Sequence, residues 1–157
     1  MKSKYSLLEA KQKIEAYCAY QERCHSEVRK KLTGWKLDDE DINVLISDLI
    51  QNNFLNEERF AGAFVSGKFR IKKWGRIKIK QHLKQKQISD YSIKKGLEEI
   101  DAQAYYATLV QLAESKNRLI HTEDNWQRLT KLQRYLHSKG YETELIREVT
   151  NAIVSAQ

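Results

Sequence analysis

The sequence predicts an all-α protein built from three tandem three-helix repeats that form an elongated, curved array. The 157 residues include no proline and only six glycines, so little in the chain interrupts a helix. Lys, Glu, Leu, Ile and Gln are frequent, and these residues are compatible with helical surfaces and helical cores. Apolar residues also recur with the same spacing in three places, which indicates a repeated structural unit.

The repeat appears when Leu32, Leu83 and Leu136 are superposed, at separations of 51 and 53 residues. Five aligned positions are apolar or aromatic in every copy. In order along the repeat they are Val28, Ile79 and Leu132; the three leucines; Leu37, Ile88 and Tyr141; Ile42, Ile93 and Ile146; and Leu49, Ile100 and Ile153. The first two positions share a face of one helix, and the last two lie two turns apart on another.

A tight turn is predicted between these two helices of each copy. Gly34 in the first copy and Gly140 in the third are placed where a helix commonly closes with a left-handed residue. The second copy has Lys86 and Gln87 there, so its turn must form without glycine.

A further helix precedes each pair. Ser6 and Glu9 have the spacing of a capping box, Asn56 caps the second such helix, and Asp101 opens the third. Their inward-facing residues are Leu7, Ile14 and Tyr17; Phe60, Phe64, Val65 and Phe69; and Tyr105, Leu109 and Leu112. The predicted repeats are therefore residues 1–53, 54–101 and 102–157.

One passage also fits a different structure. Residues 69–72 and 76–80 alternate apolar and charged side chains, which is the period of a half-exposed strand. We favour a helix over 76–85, because the matching segments 26–32 and 126–136 have helical spacing.

Positive charge is concentrated in the middle repeat. The chain has a formal net charge of +7, and no Asp or Glu occurs between Phe60 and Ser89. This window contains nine cations: Lys68, Arg70, Lys72, Lys73, Arg76, Lys78, Lys80, Lys84 and Lys86. Three of them, Arg76, Lys80 and Lys84, follow one another at helical i+4 steps and are predicted to form an exposed stripe without compensating acids. Such a stripe favours an anionic partner, and nucleic acid fits it.

The three tryptophans allow two interpretations. Trp35 and Trp74 each lie beside a glycine, where they either stack on a base or partner or cap the small core of a repeat. We favour the core interpretation for both, and more strongly for Trp126.

Signatures of catalysis are lacking in the sequence. It has no Gly-rich phosphate loop, nucleophile elbow or cluster of metal ligands, and its four histidines are scattered along the chain. Cys18 and Cys24 are six residues apart on one predicted helix, so we expect reduced thiols. We predict no catalytic residue, no cofactor and no metal.

The sequence also predicts a cytoplasmic protein with no membrane partner. No run approaches the roughly 18 uncharged apolar residues that span a bilayer. Residues 1–12 lack the apolar core of a signal peptide.

Several motifs resemble the RecX family of regulatory proteins. The segment Phe54-Leu-Asn-Glu-Glu-Arg-Phe-Ala61, followed by Lys73-Trp-Gly-Arg-Ile-Lys-Ile79, is similar to the central RecX repeat. The segments Arg23-Cys-His-Ser-Glu-Val-Arg-Lys-Lys-Leu32 and Leu136-His-Ser-Lys-Gly-Tyr141 resemble the first and last repeats. Two departures, Asn56 in place of aspartate and Gln87 in place of glycine, affect a cap and a turn.

The resemblance implies a monomeric modulator that lies in the groove of a RecA filament on DNA. It implies inhibition of strand exchange, ATP hydrolysis and the co-protease activity of RecA, and so a damped SOS response. On this hypothesis, the nine cations from Lys68 to Lys86 face DNA or an acidic surface of the filament. The alternative is a helical protein that binds single- or double-stranded nucleic acid without any recombinase.

Overall fold

The computed structural model describes residues 3–156, which form nine α-helices and no strand. In chain order these helices are α1 (Leu7–Tyr20), α2 (His25–Gly34), α3 (Asp39–Gln51), α4 (Glu57–Arg70), α5 (Arg76–Gln85), α6 (Asp90–Glu98), α7 (Ala102–Leu119), α8 (Asn125–Lys139) and α9 (Thr143–Ser155). The all-α prediction is confirmed. The strand alternative for residues 76–80 is wrong, because they form the first half of α5.

The predicted caps form at the first helix of every repeat. Ser6 Oγ accepts a hydrogen bond from Glu9 N at 3.2 Å, and Glu9 Oε1 accepts one from Ser6 N at 3.1 Å, which completes a capping box. Asn56 Oδ1 accepts from Arg59 N, and Asp101 Oδ2 accepts from Ala104 N, each at 2.9 Å. Each cap satisfies an amide at the start of its helix that has no partner within the helix.

The three reference leucines occupy matching interior sites. Leu32, Leu83 and Leu136 lie in the second helix of their copies, and none exposes any surface. The carbonyl of each accepts a hydrogen bond from the amide five residues later, at 3.5, 3.1 and 3.3 Å. The sequence repeat is therefore a repeat of backbone geometry as well as of apolar positions.

A left-handed residue follows each leucine by four positions. It is Lys36 in the first copy, Gln87 in the second and Gly140 in the third, with φ of 62°, 64° and 93°. The prediction that Gly34 closes the first turn is wrong, because Gly34 is the last residue of α2 and precedes the left-handed position by two residues.

The last repeated apolar position is less uniform than the others. Leu49 is buried, whereas Ile100 and Ile153 are only half-buried. Ile100 follows the end of α6 at Glu98, and Ile153 lies in the last turn of α9.

The chain divides into two compact units. The first contains the residues up to Ala63 together with Leu83–Lys95, and the second contains Phe64–His82 together with the residues from Gly96 onward. In the first unit α1, α2 and α3 pack around Ile14, Val28 and Leu45. In the second, α7, α8 and α9 pack together, with Tyr105, Leu109 and Leu132 among the buried side chains.

The chain passes from one unit to the other after Ala63, His82 and Lys95, and none of these positions is a predicted repeat boundary; the division at residues 53 and 101 stays a prediction. Among residues 3–156, no helix combines the length and the apolar character that a bilayer span requires.

Candidate nucleic-acid interface

The basic segment runs from the end of α4 to the turn after α5. Lys68, Arg70, Lys72, Lys73, Arg76, Lys78 and Lys80 belong to the second compact unit, and Lys84 and Lys86 belong to the first.

In the second unit, the loop of residues 71–75 is held by the turn between α8 and α9. Gly75 N donates to the carbonyl of Lys139 at 2.7 Å, and the hydroxyl of Tyr141 donates to the carbonyl of Lys73 at 2.9 Å. This attachment also brings Lys139 to the basic segment, where its Nζ donates to the carbonyl of Lys72 at 3.5 Å.

The first two amides of α5 already have hydrogen-bond partners within this unit. Arg76 N donates to the hydroxyl of Tyr105 at 2.9 Å, and Ile77 N donates to the carbonyl of Gly140 at 2.9 Å. A phosphate would have to displace these two bonds to reach the amides, which favours side chains as the groups that would bind an anion.

Arg76 has an internal partner, which corrects the predicted stripe. Its Nη1 lies 2.8 Å from Glu142 Oε2, and its guanidinium lies 3.9 Å from the ring centroid of Tyr105. The Tyr105 hydroxyl donates to Glu142 Oε1 at 2.5 Å. Burial and this hydrogen bond raise the pKa of Tyr105 well above its ordinary range. Arg76 is therefore half-buried and compensated, and the prediction that it is exposed without a compensating acid is wrong.

Two lysine side chains lie against the ring of Trp74. Lys68 Nζ lies 4.9 Å from the centroid and Lys78 Nζ lies 4.6 Å from it, distances at which the ring attracts ammonium groups. Lys78 Nζ also donates to the carbonyl of Ser138 at 3.3 Å. We call Lys68, Trp74, Lys78 and Lys139 the Trp74 cluster. The sequence pattern did not indicate Lys139, because it lies 67 residues after Lys72 and belongs to no basic run.

Four further cations are more exposed than those held by Trp74. They are Arg70, Lys72, Lys73 and Lys80. Within residues 3–156, no carboxylate lies at ion-pair distance from any of the four. These side chains can therefore approach an external anion without first breaking an internal pair.

The two cations of the first unit both have acidic neighbours. Lys84 Nζ lies 3.8 Å from Asp90 Oδ1, a distant and exposed contact, whereas Lys86 Nζ lies 3.1 Å from Glu27 Oε2. Burial opposes ionisation of Glu27, but hydrogen bonds from Cys24 N and Lys86 outweigh it, and the pKa of Glu27 is lowered. Lys84, which was predicted to belong to the stripe without compensating acids, therefore also has an acid nearby.

The other two tryptophans differ from each other. Trp35 is half-buried and meets Tyr5 edge to face, with ring centroids 5.2 Å apart, as expected for a side chain that caps a core. Trp126, which was expected to be structural, is 72% exposed at the start of α8.

The fold and the surface define a class: a tandem three-helix repeat protein whose middle segment exposes cations beside aromatic rings. Two family models match the chain. The model described as RecX, second three-helix domain, matches residues 56–97, and that of the third three-helix domain matches residues 103–150. The chain belongs to the RecX family of regulatory proteins.

Similar proteins agree with this assignment. The regulatory protein RecX of Clostridium botulinum (strain Eklund 17B) is 33% identical over 135 residues, which are 85% of this chain and 63% of the relative. The RecX of Prosthecochloris aestuarii is 28% identical, with 88% of this chain and 89% of the relative covered. This chain thus spans less than two thirds of the clostridial relative.

Solved structures show the same fold. The crystal structure of RecX from Lactobacillus salivarius superposes with a TM-score of 0.82 at 23% identity, covering 96% of this chain and 97% of that one. A second RecX crystal structure gives a TM-score of 0.84 at 22% identity, covering 92% of this chain and 71% of the other.

Proposed function

We propose that this protein binds a RecA filament on DNA and restrains strand exchange, ATP hydrolysis and the co-protease activity of RecA, which damps the SOS response. Membership of the RecX family is the observation that carries the proposal. In this proposal the protein acts as a monomer in the cytoplasm, by binding alone and without catalysis.

The second unit supplies a surface suited to this role. Arg70, Lys72, Lys73 and Lys80 are exposed, and the Trp74 cluster adds cations held at fixed positions. Phosphates on DNA attract such side chains strongly at low salt, because binding releases condensed counterions. We assign the approach to DNA to these residues and a positioning role to Arg76.

The direct test measures ATP hydrolysis by RecA on single-stranded DNA while purified protein is added. We expect the rate to fall as the protein saturates the filament. An unchanged rate at several-fold excess over RecA would count decisively against the proposal.

A second candidate is a nucleic-acid-binding protein that needs no recombinase, and the four exposed cations favour it. If about four of them met phosphates, the logarithm of the affinity for single strands should fall with the logarithm of salt concentration with a slope near −3. An affinity that rises sharply when RecA is added would favour the first candidate.

A further inference from the structure

The first compact unit contains a cleft outside the Trp74 cluster. Its volume is about 740 Å³, within the range of about 300–1,000 Å³ that is usual for ligand sites. Its lining includes Lys30 and Lys31 from α2, Trp35 directly after α2, and Lys86 from the turn after α5.

Two contacts fix the walls of the cleft. Ser26 Oγ donates to the carbonyl of Lys86 at 2.9 Å, and Lys86 Nζ donates to Glu27 Oε2 at 3.1 Å. These bonds join the first turn of α2 to the segment that follows α5. The cleft is therefore formed before a ligand arrives.

The cleft has an excess of positive charge. Glu27 neutralises Lys86, whereas Lys30 and Lys31 are exposed and no carboxylate within residues 3–156 lies at ion-pair distance from them. Arg23 adds a further cation nearby, since its guanidinium lies 3.7 Å from the ring centroid of Tyr17, a residue of the cleft.

An aromatic surface accompanies these cations. One part of the half-buried Trp35 ring meets Tyr5, and the ring also lines the cleft. Cations beside an indole suit a chain that alternates phosphates with flat bases, because bases stack on aromatic rings while lysines meet the backbone. In a duplex the base faces are stacked on one another, so they are not available to Trp35. An acidic peptide offers carboxylates for the lysines but no flat ring to stack on the indole.

We propose that this cleft binds single-stranded nucleic acid, with phosphates at Lys30 and Lys31 and a base against Trp35. The inference deepens the proposed function by naming a contact for the strand in the first unit. It does not require RecA, so the two proposals can fail separately.

The first test compares two double variants in the full chain by fluorescence anisotropy with a labelled oligothymidylate of about 12 nucleotides. Lys30→Glu with Lys31→Glu should weaken binding by about tenfold and make the salt slope shallower by about 1.4, about 0.7 for each lost phosphate contact. The matched control is Lys94→Glu with Lys95→Glu, an exposed neighbouring pair on α6 in the same unit. The control should stay within about twofold of the wild type, and equal losses in the two variants would overturn the proposal.

A second test fills the cleft without changing its charge. A Cβ added at Gly34 meets no atom within 4 Å, and Gly34 ends α2 without a left-handed φ. Gly34→Gln should therefore fold normally and weaken oligonucleotide binding severalfold, with little change in the salt slope. Wild-type affinity in a variant with an unchanged melting temperature would contradict the placement of the strand.

A competitor identifies the class of ligand. Unlabelled oligothymidylate should displace the labelled strand, and a poly-glutamate peptide of equal charge should displace it poorly. Stronger displacement by the peptide would overturn the assignment to nucleic acid. Inhibition of RecA by the wild type, combined with no effect of the cleft variants on oligonucleotide affinity, would remove this inference and leave the proposed function standing.

Discussion

Gly75 and Gly140 pack backbone against backbone. A Cβ on Gly75 would lie 2.4 Å from the carbonyl oxygen of Gly140, and a Cβ on Gly140 would lie 2.3 Å from the Cβ of Lys78. In proteins a Cβ essentially never lies so close to a non-bonded heavy atom, so there is no room for a side chain at either position. Gly140 also has a φ of 93°, which is unfavourable for residues with a Cβ. This close approach lets the turn after α8 hold the loop that carries Lys72, Lys73 and Trp74.

The first prediction concerns this contact. Gly75→Ala should lower the free energy of unfolding by about 1–3 kcal/mol, because the added carbon forces the two backbones apart. Gly67→Ala is the control, since a Cβ there meets nothing within 4 Å and the residue lies inside α4. The control should be neutral or stabilising by up to about 1 kcal/mol. Denaturant titration measures both, and equal stabilities would show that the contact is loose.

The repeated turn yields a second prediction. Gln87 and Lys36 adopt left-handed conformations that are unfavourable for residues with a Cβ. Gln87→Gly should therefore raise the free energy of unfolding by about 0.5–1 kcal/mol, the relieved strain being partly offset by the greater freedom of glycine in the unfolded chain. Gln85→Gly, at the end of α5, should not stabilise the protein. A lower melting temperature for Gln87→Gly would contradict the left-handed assignment.

The third prediction concerns the Tyr105 hydroxyl, which accepts from Arg76 N and donates to Glu142. Tyr105→Phe should destabilise the protein by about 1–3 kcal/mol, because both partners lose a hydrogen bond in a partly buried place. Tyr106→Phe, one residue along the same helix and 38% exposed, is the matched control and should stay within about 0.5 kcal/mol of wild type. The difference is measured by urea unfolding at neutral pH.

Stability should also fall at alkaline pH. Burial raises the pKa of Cys18 to about 11 from an ordinary 9.0, and it raises the pKa of Tyr105 and Tyr141 as well. A raised pKa means that the folded state keeps a proton that the unfolded state releases. The contribution of Cys18 is therefore complete below pH 9 and is lost between pH 9 and about 11.

This pH dependence can be assigned with one variant. Between pH 9 and about 11, the free energy of unfolding should decline with pH in both proteins. The slope should be steeper in the wild type than in Cys18→Ala, and the two slopes should differ by about 1 kcal/mol per pH unit. Parallel declines in the two proteins would show that the Cys18 thiol is not protected. The measurement is a series of denaturant titrations at fixed ionic strength.

The fifth prediction tests the surface of the second unit. Lys72→Glu combined with Lys80→Glu should weaken inhibition of the RecA ATPase by about tenfold, since two attractive contacts become repulsive. Lys131→Glu combined with Arg147→Glu makes the same change of charge at exposed positions of α8 and α9 and should inhibit nearly as well as wild type.

The double variant does not include Arg76, because a substitution of Arg76 by Glu would also break the ion pair with Glu142. Circular dichroism should show unchanged helix content in both double variants. Full inhibition by Lys72→Glu combined with Lys80→Glu would move the interface away from this surface.

The sequence was informative where a single helix or cap decides the structure. Leu32, Leu83 and Leu136 could be placed in the core because apolar spacing reports burial, and Ser6, Asn56 and Asp101 could be placed at helix starts because their side chains accept from nearby amides. These features depend on neighbours within a few residues along the chain.

The missed features depend on contacts between distant residues or on rare backbone conformations. Glu142 lies 66 residues from Arg76, and the basic segment itself contains no acid that would reveal the pair. Lys36 adopts a left-handed turn although glycine is the usual choice there, so composition pointed to Gly34 instead. The exposure of Trp126 likewise contradicts the common burial of large aromatic residues.

The attachment of residues 71–75 to the α8–α9 turn bears on how the basic segment can be studied. A synthetic peptide of residues 64–86 would keep every lysine of that stretch. It would lack Lys139 and Tyr141, which hold the loop through hydrogen bonds, and Gly140, whose carbonyl accepts from Ile77 N at the start of α5. Its affinity for an anion would then report lysine content alone. Peptide fragments of the basic segment would for this reason give a wrong value for the anion affinity of this surface. The affinity has to be measured on chains that retain the C-terminal helices.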